Sequence, residues 1–361
     1  THDPAAAVVH VLGVAPWASM LLARWRGEPD AHVERMRRAA DALAANRHFR
    51  RSGGGKGGPV FVQVMGGESL ETMTAAYQQQ LVGGNVVLGC TDPTNAAVGS
   101  NGRQPAHRLM ADALTLPYWA HAFAPAAHPA GLARSGLMFH GGFGRFDFGN
   151  RERMHKVMLR VRSLEPRVRI DLRVAELSRG NQSALRRGFD VGAYNRSGGA
   201  YRAASICMVP AGDVLSSRRL FDSLSAGCVP LLLRSWYLLN KNGQTFYTAL
   251  PFASFVPWDE LTLRLVPAYS SAACIDGDAR WISAWHNRSL EAVRRKGHAA
   301  FRRYMDYGSN PTGVASAMLA EVAARKRLGA HDSQPGGQEA STQDARKKPH
   351  QRRFFGLSGQ A

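Results

Sequence analysis

The residues most able to do chemistry together are Ser216, Ser217, Arg218, Arg219 and Asp222, in the stretch SSRRLFDSLSAGCVP. A serine pair before an apolar-periodic run is a helix N-cap signal, because a hydroxyl can accept one of the unpaired backbone N–H groups of the first turn. A helix amino terminus carries about half a positive charge and attracts phosphate. An arginine in the first turn adds a planar fork of donors suited to phosphate oxygens. Asp222 lies one turn beyond Arg219 and shares its face. Its carboxylate can accept from two adjacent hydroxyls, such as those of a ribose. The stretch therefore has the parts for a nucleoside diphosphate. The same spacing also suits an ion pair of Asp222 with Arg218 or Arg219, worth a few tenths of a kcal/mol at about the scale of exposed helix pairs.

The surrounding pattern must position such a site. Short apolar, β-branched runs alternate with helical patterns along the chain. Strands are expected at 59–65, 85–90, 113–118, 135–141, 168–175, 206–210 and 228–235. Helices are expected at 30–49, 151–164 and 216–227, with long helical patterns at 279–307 and 312–328. Gly227 reads as the stop of the 216–227 helix. Alternation on both sides of the Ala/Pro/His-rich segment 121–133 predicts two α/β domains with parallel sheets. Their expected bounds are 1–125 and 134–329. Ligands of such sheets sit at the carboxyl ends of the strands, where helices begin. Residues 330–361, rich in Gln, Ser, Gly and Lys, are expected to be disordered.

Bulk properties narrow the field. The chain has 361 residues and a net charge of +19. Its arginines are spread along helices rather than massed with aromatics, which argues against nucleic acid and leaves an anionic substrate open. No apolar run is long enough to span a bilayer. Four cysteines, Cys90, Cys207, Cys228 and Cys274, form no CxxC pair, so a zinc site is not expected. Three sequons, at Asn181, Asn195 and Asn287, fit a secretory-pathway protein. In that setting Cys207 and Cys228 form the first candidate disulfide, each in a strand-like run beside the serine–arginine stretch; both as buried thiols is the other reading.

The segment SICMVPAGDVLSSRRLFDSLSAGCVPLLL resembles the signature of the exostosin-like glycosyltransferases, glycosyltransferase family 47. The matching positions are Ser205, Cys207, Pro210, Gly212, Arg219, Asp222, Gly227, Cys228 and Pro230. LPFASFVPWDELTLRLVP at 250–267 is similar to the family's downstream sequence. THDPAAAVVHVLGVAPWASML, FRRSGGGKGGPVFVQV, DALTLPYW and RSGLMFHGGFGRFDFGNRERM resemble its upstream segments in the right order. The resemblance covers about residues 1–310. It implies two Rossmann-like domains facing a cleft, as in B-type glycosyltransferases, with the acceptor on the first domain and a nucleotide sugar on the second. It implies an inverting transfer from a nucleotide sugar, expected to be a UDP-sugar, to a glycan hydroxyl, without metal or cofactor. Ser216, Ser217, Arg218 and Arg219 would hold the diphosphate and Asp222 the ribose. Gly141, Gly142 and Arg145 would form a glycine loop that lets backbone and cation approach the donor.

The resemblance also implies a Golgi-lumen enzyme, anchored through an N-terminal segment absent from this chain, whose first strand would be missing too. GGGKGG at 53–58 lacks the acidic residue and histidine that the family usually has there. That departure motivates an alternative: an inactive member serving as partner or scaffold of another glycosyltransferase subunit. Glu68, Asp92, Asp112 and His140 lie near expected strand ends, and none is assigned as a catalytic base.

Overall fold

The structure is a computed structural model and describes residues 9–52, 59–65, 73–91, 113–120, 136–142, 148–175, 198–209, 217–233, 250–265, 272–286 and 289–331. Two all-parallel sheets organise it. The first contains β1 (Val9–Leu12), β2 (Val60–Val64), β3 (Val86–Cys90) and β4 (Leu114–Thr115), in that spatial order. The second contains β5 (Gly136–Gly142), β6 (Arg169–Ala175), β7 (Ala204–Val209), β8 (Val229–Leu233) and β9 (Leu263–Leu265), in the order β6-β5-β7-β8-β9. This is an α/β fold with two Rossmann-like sheets.

The first sheet follows from two-residue periodicity. Phe61, Met65, Val86, Leu88 and Cys90 face one way and pack with Met36, Ala40 and Leu43 of α2 (Pro29–Ala45) and Tyr77 and Leu81 of α4 (Ala75–Val82). Val62 and Val87 face the other way. With Leu114 and Leu116 they join the core that also holds the second sheet and Val314, Ala317 and Val322 of the last helix. One apolar core thus reaches both sheets. Gln63, on the α4 side of β2, is fully buried and satisfied: Tyr77 donates to its Oε1 at 2.6 Å, and its Nε2 donates to the Val14 carbonyl at 2.9 Å.

The expected helix over 30–49 is two helices. Asn46 breaks it by taking an extended conformation, and its Oδ1 accepts from the amides of His48 and Phe49, capping α3 (Arg47–Ser52). The 113–118 run pairs over two residues only, then continues unpaired to 120. β1, α1 (Pro16–Arg26) and α4 went unanticipated. The other expected strands and helices are present within one to three residues, except that the 279–307 pattern forms two helices.

In the second sheet, α5 (Phe148–Leu164) and α8 (Ala272–His286) are tied by Arg153–Asp278 at 2.7 Å and Arg160–Asp276 at 2.6 Å. The crossover between β7 and β8 is α6 (Arg218–Ser225), and α7 (Trp258–Leu261) precedes β9. Then come α9 (Glu291–Tyr304) and α10 (Pro311–His331). Asn310 joins these two: its amide donates to the Arg302 and Arg303 carbonyls that end α9, and its oxygen accepts from Gly313 in the first turn of α10. Among the described residues no helix is long and apolar enough to cross a membrane. The sequon asparagines Asn181, Asn195 and Asn287 lie outside the described residues; of the expected 330–361 tail, Ala330 and His331 end α10 instead, and 332–361 lie outside the described residues.

Candidate functional site

The strand order β6-β5-β7-β8-β9 reverses direction between β5 and β7. Because all five strands are parallel, their carboxyl ends share one edge, and open α/β sheets bind ligands outside that edge at the reversal point. Gly141 and Gly142 end β5 there, paired with Val174 and Ala175 of β6. Val209 ends β7 at the same edge, and the chain re-enters at Ser217 to begin α6. Gly141, Gly142 and the amino terminus of α6 therefore come to one edge of one sheet. Ser216, Arg145, Glu68, Asp92, Asp112 and the 53–58 segment lie outside the described residues, as does the side chain of His140.

Ser217 is the cap of α6. It has an extended backbone, and its Oγ accepts from the Arg219 amide at 3.3 Å. The Arg219 guanidinium turns back toward the same oxygen, with Nη1 at 3.4 Å. Cation and helix terminus thus converge on one hydroxyl, and both favour negative charge at that point. Only eight residues long, the helix has almost no solvent face: Leu220 through Ser225 are all buried. Ser223 satisfies its hydroxyl on the Arg219 carbonyl at 2.6 Å.

At the other end α6 closes in a Schellman motif: Cys228 donates to the Ser223 carbonyl and Gly227 to that of Leu224. Gly227 has φ of 67°, which a side chain would disfavour. That turn sets Cys228 against β7, where it is disulfide-bonded to Cys207. Cys90 and Cys274 remain thiols. Gly297 of α9 comes so close that a Cβ there would lie 3.0 Å from Leu224 Cδ2. His298 Nδ1 is 3.2 Å from the Leu224 carbonyl, which it meets as donor, a favourable arrangement at a helix carboxyl end.

Asp222 is 1% exposed. Its Oδ2 lies 3.7 Å from Arg218 Nε, the i,i+4 partner. Buried Tyr201, in the helical segment 198–203 before β7, shares this neighbourhood. Its phenol is pushed above the usual range by burial first and by the Asp222 charge second, against the pull of Arg219 and Arg218. Tyr201 was not anticipated, since nothing in its spacing from the 216–227 stretch marks it. Among the described residues no three His, Cys, Asp or Glu side chains are grouped to hold a metal ion.

Comparison with known proteins adds a family. The model of the exostosin GT47 domain matches residues 1–270. No curated protein sequence matches the chain. The structure is similar to the pneumococcal O-GlcNAc transferase in complex with UDP and GlcNAc, at 12% identity and TM-score 0.38, over 84% of this chain and 60% of that one. It is similar to the catalytic domain of starch synthase IV from Arabidopsis thaliana bound to ADP and acarbose, at 9% identity and TM-score 0.38, over 73% of this chain and 67% of that one. It is also similar to a putative UDP-N-acetylglucosamine 2-epimerase from Listeria monocytogenes, at 11% identity and TM-score 0.40, over 90% and 98% of the two chains. The chain thus spans 60% of the length of the pneumococcal enzyme.

Proposed function

The chain belongs to the exostosin GT47 glycosyltransferase family, and on that premise we propose that it moves a sugar from a UDP-sugar to a hydroxyl of a glycan acceptor with inversion at the anomeric carbon. The observation that carries this reading is the meeting of the β5 glycines and the α6 amino terminus at the point where the strand order reverses. In a single displacement the acceptor oxygen bonds to the anomeric carbon as the bond to the β-phosphate oxygen breaks. The electron pair leaves with UDP, and the acceptor hydroxyl gives its proton to a carboxylate or imidazole base, to which no residue is assigned. The leaving diphosphate needs cationic and dipolar stabilisation in a site closed to water. Ser217, Arg218 and Arg219 at the start of α6 supply it, with Ser216 and Arg145 completing the cradle. Gly141 and Gly142 present bare backbone, so the diphosphate can approach closely. Asp222 takes the ribose after releasing Arg218, which then turns to phosphate.

Residues 1–125 would form the acceptor domain and 134–329 the donor domain. The Cys207–Cys228 disulfide fits an oxidising compartment such as the Golgi lumen.

The test is a panel of UDP-sugars with the purified protein, scored for transfer and hydrolysis. Arg219→Ala should abolish turnover while leaving the melting temperature nearly unchanged, because its guanidinium reaches Ser217 Oγ only by a long contact of 3.4 Å. Full activity in that variant would remove the assignment. UDP binding without turnover of any sugar donor would favour the inactive partner or scaffold role that the 53–58 segment motivates.

A further inference from the structure

Two aromatic pairs form a strip where the chain leaves the first sheet and where α9 ends, their tyrosines, Tyr304 and Tyr307, three residues apart in sequence. Trp119, just beyond β4, is 59% exposed. One of its faces lies on Tyr307, at 5.8 Å between centroids and 8° between planes. Tyr307 is fixed by its hydroxyl, which donates to the Pro117 carbonyl at 3.2 Å. At the end of α9, Tyr304 meets Phe255 edge-on at 5.4 Å. Phe255 is 38% exposed and stacks on buried Phe252 at 5.9 Å. The exposed Arg303 holds its guanidinium 5.0 Å from the centre of the Tyr304 ring. Its neighbour Arg302 is occupied by Asp306 at 2.6 Å, whereas among the described residues no carboxylate pairs with Arg303.

The strip is held rigid from beneath. Phe252 has φ of 53°, a left-handed conformation that costs a bulky residue about 1–3 kcal/mol and persists only where the surroundings enforce it. Here they do: the amides of Phe255 and Val256 donate to the Phe252 carbonyl, and Ser254 donates to Glu321 of α10. Trp258 Nε1 pins the Pro251 carbonyl at 2.8 Å.

We propose that Trp119, Tyr307, Tyr304 and Phe255, with Arg303 beside them, form a binding surface for an acidic glycan. The proposal rests on the glycosyl-transfer reading and names the chemistry of the acceptor. A sugar ring has one face of C–H groups and an edge of hydroxyls, so a flat, pre-ordered aromatic surface holds it with little loss of side-chain freedom. The guanidinium fork of Arg303, which pairs with no carboxylate among the described residues, matches a carboxylate on a neighbouring ring. The net charge of +19 draws a polyanion toward the surface in a salt-dependent way.

The experiment titrates the full chain with hexagalacturonate and with maltohexaose, at low and high salt, by calorimetry and tryptophan fluorescence, with UDP titrated in parallel. Hexagalacturonate should bind more tightly than maltohexaose and shift the tryptophan emission. Trp119→Ala should weaken it about tenfold, the scale of one lost aromatic contact, and Trp119→Phe should restore part of the loss. Arg303→Gln, at an exposed site, should weaken hexagalacturonate several-fold, remove much of the salt dependence and leave UDP affinity unchanged.

Equal hexagalacturonate affinity in the native chain, Trp119→Ala and Arg303→Gln would overturn the proposal. So would UDP binding with no affinity for hexagalacturonate, an outcome that leaves the donor site standing. Self-association abolished by Trp119→Ala would also overturn it, by making a second copy the occupant. Loss of UDP binding alone, with Trp119-dependent glycan binding retained, would instead remove the donor reading.

Discussion

The contact between Arg218 and Asp222 separates a bystander ion pair from a working one. Breaking a fully buried pair by removing one partner costs about 3–5 kcal/mol, because the remaining charge is stranded. A fully exposed pair is worth about 0–1 kcal/mol. Here the carboxylate side chain is 2% exposed and the guanidinium side chain 27%, and the 3.7 Å separation is longer than a hydrogen bond. The cost is therefore asymmetric. Arg218→Ala leaves Asp222 inside the fold and should destabilise by about 1–2 kcal/mol, between the two limits. Asp222→Asn removes the buried charge and lets Arg218 turn outward, so it should cost less. The double variant should cost less than the sum of the two. Urea unfolding of the four proteins at neutral pH measures this cycle. A larger penalty for Asp222→Asn than for Arg218→Ala, or strict additivity, would refute the reasoning. The same variants report on function, since loss of Asp222 should weaken UDP while having little effect on inorganic pyrophosphate.

Three further outcomes follow from local geometry. Replacing Cys207 and Cys228 by serine opens a loop of sequence separation 21 and should cost about 3 kcal/mol by chain entropy, read as a lower urea midpoint. Gly313→Ala should destabilise despite its better helix propensity, because the new Cβ would fall 2.3 Å from the Arg303 carbonyl and 2.2 Å from Asn310 Nδ2 and break the joint between α9 and α10; a rise in melting temperature would contradict this. Hydrogen bonds from Arg37 and Arg38 hold the Glu34 carboxylate down to about 2 from an ordinary 4.5, so its support of α2 is present above 4.5 and is lost as pH falls through about 2. Carbon NMR should show that carboxyl still ionised at pH 3, and Arg38→Ala should move its titration upward.

Much of this architecture was legible because it depends on local signals. The strand runs at 85–90 and 168–175 are β-branched and bounded by turn residues, and β3 and β6 form there. Ser217 and Gly227 act as cap and stop of α6 as their types predict. β1 was missed because its four residues carry a histidine and lead into Gly13, too short a run to show a period. α4 was missed because Gln78 lies inside, with Nε2 on the Met73 carbonyl at 3.0 Å, so its buried face does not look apolar. Within the site, the sequence left Asp222 as ligand or ion-pair partner. What decides its present state is tertiary: the burial of α6 and the approach of Tyr201 from before β7. The aromatic strip joins Trp119, Phe255 and Tyr307 from distant parts of the chain, and no spacing rule links them.

Hydrogen–deuterium exchange of the full chain with and without UDP tests the central claim most directly. UDP should slow exchange at the amides of 217–220 and 141–142, at the carboxyl edge of the second sheet. Protection confined to other segments, with those amides unchanged under saturating UDP, would contradict the account.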